Sequence, residues 1–137
     1  MKKILLISSF FLSLYGNTSA QVTSNPVFPT SENPITITYD ATQGNGGLIG
    51  ATKVYMHAGA ILTSTNGTTW EYVKGNWGKD DGVGLMTQDP MNANRWSITI
   101  TPRTYFGVPA EQKIYRIGMV FRNADGTKES ERVTGGH

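Results

Sequence analysis

The chain has 137 residues, with 12 Lys and Arg against 10 Asp and Glu, a formal charge of +2 and no cysteine. The cysteine count excludes a disulfide framework, thiolate metal centres and the modified cysteine of a bacterial lipoprotein. Lys2 and Lys3 account for the excess of positive charge, and no basic stripe occurs elsewhere, so nucleic acid is not expected as a partner.

Residues 1–20 carry a charged start, an apolar stretch and a small-residue end at Ala20, the three regions of a secretory signal. The expectation is a cleaved signal and a secreted or cell-surface protein. Residues 21–137 then form one domain, and no later segment approaches the roughly 20 apolar residues of a membrane span. Residues 21–30 contain Pro26 and Pro29, which suit an edge strand. Residues 34–40 alternate cleanly, placing Ile35, Ile37 and Tyr39 on one face. The glycines of residues 41–51 are not followed by a helical pattern or a Lys-Ser/Thr pair, so the segment reads as a connection between sheets and not as a phosphate loop.

A strand follows at residues 53–62, with Val54, Met56 and Ala58 facing one way and Tyr55 and His57 the other. Asn66-Gly67 predicts a type I′ two-residue turn closed by Thr65 and Thr68. That register sets Thr63 opposite Trp70 and Ile61 opposite Tyr72, so that Trp70, Tyr72 and Lys74 share a face. Trp77 comes next, in a loop with Gly75, Asn76 and Gly78. Residues 94–101 place Trp96, Ile98 and Ile100 inward. Residues 114–122 place Tyr115, Ile117, Met119 and Phe121 inward, with Arg116, Gly118 and Arg122 outward. A turn at Asp125-Gly126 then pairs Phe121 with Ser130 and Met119 with Arg132, which sets polar residues where a last strand should be apolar. The closing strand is therefore expected to be missing and the module truncated at its C-terminus.

These elements predict an all-β protein: an antiparallel Ig-like β-sandwich of about seven strands, with no helix needed. His57 lacks a second histidine for a zinc site and a nearby nucleophile for a triad, and Asp80-Asp81 and Asn123/Asp125 lack EF-hand spacing. No enzyme activity, metal or cofactor is expected. Trp96 reads as core, whereas Trp77 reads as an exposed indole able to stack on a sugar face while Lys or Asn bonds its hydroxyls. The carbohydrate-binding candidates are Trp77, Tyr72, Trp70, Lys74, Asn76 and His57.

The order NPITITYDATQGNGGL, VYMHAG, WEYVKGNWG and RWSITITPRTYFGVPAEQKIYRIGMVFRNADGTKE resembles the Ig-like, E-set-type modules near the N-termini of secreted amylases, esterases and starch-binding surface proteins of Bacteroidota. The resemblance covers residues 22–129. It implies an accessory sandwich, glucan-binding in some cases, attached to further domains of a larger exported protein. The partner it implies is an oligosaccharide or polysaccharide, with α-glucan favoured. The alternative is a structural spacer or protein-interaction domain without sugar affinity.

Overall fold

Ile35, Ile37 and Tyr39 are buried while Thr36, Thr38 and Asp40 between them are only half-buried, so the period-2 pattern of the sequence is realised as a strand with one face inward. In the computed structural model, which describes residues 20–136, this strand is β2 (Ile35–Asp40), preceded by β1 (Val22–Asn25). The chain continues through β3 (Tyr55–Ile61), β4 (Glu71–Lys74), β5 (Thr87–Asp89), β6 (Asn92–Ile100), α1 (Pro102–Phe106), β7 (Arg116–Arg122) and β8 (Val133–Gly136). Two four-stranded antiparallel sheets result, in the orders β1-β2-β6-β5 and β4-β3-β7-β8. The glycine-rich residues 41–54 carry the chain from the first sheet to the second.

The sheets meet on their inner faces. Ile37 pairs with Ile98, and Tyr39 with Trp96, in the first sheet; Met56 pairs with Phe121, and Ala60 with Ile117, in the second. Tyr39 stacks on Phe121 across the interface, with ring centroids 4.3 Å apart and planes 16° from parallel. Burial pushes the Tyr39 hydroxyl pKa up to about 12, with the Asp40 charge adding to the shift. The predicted core residues Ile35, Ile37, Trp96, Ile117, Met119 and Phe121 are all buried, and Ile98 is partly so. Outside the first sheet, Thr36 and Thr99 join their hydroxyls at 2.8 Å across β2 and β6, a polar face turned to water.

Five local expectations are corrected. The Asn66-Gly67 pair does not form the predicted turn: the Gly67 N–H donates to the Ser64 carbonyl at 3.1 Å, and the Asn66 N–H donates to the Ser64 hydroxyl at 3.2 Å. A side chain at Gly67 would meet the Thr63 hydroxyl at 2.2 Å, so this glycine serves close packing. The register changes with the turn. Ala60 pairs with Glu71 and Ala58 with Lys74, which leaves two residues of β4 opposite Gly59. Tyr72 takes up this bulge with φ 52°, and the predicted common face of Trp70, Tyr72 and Lys74 is broken.

At the other end of the chain, Arg122 pairs with Glu129 but Met119 pairs with Val133. One extra residue has slipped into the later strand. The slip turns Val133 toward the core in place of Arg132, and a short closing strand is present where none was expected. Ser130 is buried beside Phe121 because its hydroxyl accepts the Phe121 N–H at 3.0 Å and donates to the Glu131 carbonyl at 2.8 Å. Tyr115 is half-buried, and Ile114 takes the inward place assigned to it. A helix also exists: Pro102 starts α1, and Gly107, at φ 74°, caps it through a hydrogen bond to the Arg103 carbonyl.

Phe121→Ala removes the ring that bridges the sheets. It should cost about 3 to 5 kcal/mol of stability in urea unfolding.

Candidate functional site

The second sheet carries a further layer of side chains on its outer face, and glycine makes room for it. Gly59 and Gly118 are direct partners on β3 and β7, and both present that face. A side chain at Gly118 would lie 2.0 Å from the Trp70 indole nitrogen, and one at Gly59 would lie 2.8 Å from the Trp70 Cβ. The bare backbone is thus the floor on which Trp70 rests. The Arg132 guanidinium lies 4.6 Å from the centroid of the Trp70 ring, a cation-π contact that covers it.

Two residues along the same face, His57 pairs with Val120. Trp77 meets His57 edge-on, with centroids 5.4 Å apart and planes at 85°. Gly126 lies under the Trp77 indole, where a side chain would come within 2.7 Å of its nitrogen. The loop that carries Trp77 is held by Arg122. This residue is fully buried, and its two terminal nitrogens donate to four carbonyls: Asn123 and Ala124 at 3.0 Å, Asn76 at 3.0 Å and Lys79 at 2.9 Å. Its guanidinium carbon sits 4.3 Å from the Tyr55 ring centroid and 5.8 Å from that of Trp77.

Tyr55 ties the same loop from its other end. Its hydroxyl donates to Asp80 and accepts the Gly82 N–H at 3.1 Å, while Lys53 donates to the second Asp80 oxygen at 2.8 Å. Lys53, and after it Tyr55, holds the Asp80 carboxyl below the usual carboxylate range; burial, and then the bond to Asp80, pushes the Tyr55 hydroxyl up. The Lys53–Asp80 pair is about half exposed, so it orients the loop more than it stabilises the fold. Burial, with Arg122 and then Arg132 nearby, pulls the His57 pKa down, and its Nδ1 is buried without a hydrogen-bond partner.

The six predicted site residues thus separate. His57 and Trp77 touch, and Trp70 lies further along their face. Asn76 is at the base of the Trp77 loop, with its amide donating to Asp81 at 2.8 Å. Tyr72 and Lys74 turn toward the connection around α1, where the Tyr72 hydroxyl reaches Gln112 at 3.3 Å and the Lys74 amine lies 5.7 Å from the Tyr105 ring centroid. Trp77 keeps 40% of its surface exposed. Arg122, Tyr55, Gly118 and Gly126 were not among the candidates, though an arginine ending the apolar run IGMVF and a glycine inside it were visible signals. Among the described residues, no group of three or more acids and histidines gathers as a metal centre, and no helix is long and apolar enough to cross a membrane.

Residues 22–129 match the family model described as domain of unknown function DUF8578, and the chain belongs to that family. Comparison with curated proteins returns no match.

Two tests follow from this network. Arg122→Met leaves four carbonyls without their donor and should cost about 1 to 3 kcal/mol or more, read by urea unfolding. The His57 pKa is depressed in the folded protein, so the unfolded chain takes up its proton first as pH falls. Stability due to neutral His57 is complete above the ordinary value of 6.5 and should decline as pH drops through it; His57→Gln should flatten that decline in melts between pH 7.5 and 5.5.

Proposed function

We propose that this chain is a secreted, non-catalytic carbohydrate-binding module, accessory to a larger exported protein, and that Trp77 is its sugar platform. The observation that carries the reading is the exposure of Trp77 in a fixed pose: 40% of the residue faces solvent while Gly126, His57 and the Arg122-held loop set its orientation. A preorganised indole loses little freedom when a pyranose ring stacks on it, which suits weak recognition of a flexible polymer. Asn76 precedes it in the same loop, and its side-chain oxygen can offer a hydrogen bond to a sugar hydroxyl. α-Glucan is the favoured ligand, a choice supported by the resemblance to modules of amylases and starch-binding proteins.

The rival reading, a spacer or protein-contact module, draws on a different observation. All four residues of β4 are exposed, including Tyr72 at 40% and Val73 at 48%. The two readings separate on titration of the protein with α-glucan oligosaccharides and unrelated glycans, following tryptophan fluorescence. Binding with a Kd in the micromolar to millimolar range, on the order of −4 to −8 kcal/mol, is expected. Trp77→Ala should weaken it about tenfold or more, and circular dichroism should show that the variant still folds, at a lowered unfolding midpoint because its ring packs on Gly126 and His57. A wild type that binds none of these glycans passes the chain to the rival reading.

A further inference from the structure

The two sheets end side by side, at β1 in the first and β8 in the second. Between these strands opens a cleft of about 180 Å³, with Ile35, Ile37, Ile117 and Met119 as its floor and Val22 and Val133 at its sides. Beside it, in the β1–β2 connection, Val27 and Phe28 are 72% and 84% exposed. Pro26 and Pro29 bracket this pair and restrict its backbone, and Pro29 itself lines the cleft. An apolar knob and an apolar hole therefore share one rim, and the knob does not fill its own hole.

We propose that two copies of this chain associate about a two-fold axis beside Pro29, each placing Phe28 in the β1–β8 cleft of the other. Size and charge both favour a second copy. A cavity of about 150 Å³ takes a benzene ring, so this one accommodates a phenyl group. Across a two-fold axis, surface patches meet their own kind, so a self-interface tolerates few charges. Every residue lining the cleft is uncharged, as are Val27, Phe28 and all four residues of β1. Among the described residues, β1 and β8 are also the outer strands of their sheets, with backbone groups on the outer side that an approaching strand can pair. The association is independent of sugar binding at Trp77.

Sedimentation of the protein with residues 1–20 removed, from micromolar to millimolar concentration, tests this. The wild type should show a concentration-dependent monomer–dimer equilibrium. Phe28→Ser removes the knob from an exposed position, so it should weaken dimerisation about tenfold or more while leaving the unfolding midpoint unchanged. Ser24→Trp, at the half-buried β1 residue that pairs with Ile37 on the cleft side, should do the same by blocking the hole. An equal mixture of the two variants keeps one intact knob and one intact hole, and should dimerise more tightly than either variant alone. A wild type that stays monomeric throughout overturns the proposal, as does a dimer indifferent to Phe28→Ser. A monomer whose cleft takes up anilinonaphthalene sulfonate regardless of residue 28 gives the cleft to a foreign apolar ligand and overturns it too.

Discussion

A fully buried guanidinium, that of Arg122, holds the outer architecture of this protein together. Removing a charge from water costs several kcal/mol, and no carboxylate hydrogen-bonds to this one among the described residues. Four carbonyl oxygens and the face of Tyr55 replace the lost hydration. The carbonyls come from two different loops, so satisfying the charge requires both loops to close over the end of β7. The position of Trp77 follows from that requirement: Asn76 and Lys79, on either side of it, each supply one carbonyl.

The outer face of the second sheet is then a second packing layer, built differently from the core. In the core, side chains of two sheets interdigitate, and Tyr39 against Phe121 is the closest aromatic pair across the interface. On the outside, glycines replace one partner. Gly59, Gly118 and Gly126 let indoles lie against bare backbone, and arginines cover or flank the rings from the other side. Such packing fixes aromatic rings near the surface without a second sheet. It leaves Trp77 40% exposed and Trp70 half-buried under Arg132, although the sequence presents both as tryptophans near one hairpin.

The two sheet edges contrast with this face. The β4 edge is bulged at Tyr72 and crowded by the α1 connection, which Lys74 and Tyr72 both reach. A bulge twists an edge away from further pairing. The opposite edge, between β1 and β8, keeps an uncharged apolar cleft. The sandwich is thus closed on one side by loops and open on the other.

Period-2 alternation was enough to determine the strands around Ile35, Val54, Trp96 and Ile117 and the face each turns inward, because strand geometry sends successive side chains to opposite sides wherever one face must be dry. The same pattern named most of the core, and the glycines of residues 41–51 marked the connection between the sheets. Only the tertiary structure decided register, because register depends on which partner a polar group finds. Ser64 captured the turn from Asn66-Gly67, and a one-residue slip after Glu129 brought Val133 inward instead of Arg132. It also decided the roles of the outward residues. Alternation marks Arg122, Gly118 and His57 alike as outward, but loops distant in sequence bury the first, an indole covers the second, and Trp77 meets the third. Those contacts join residues between 20 and 48 apart in the chain, and no local pattern encodes them.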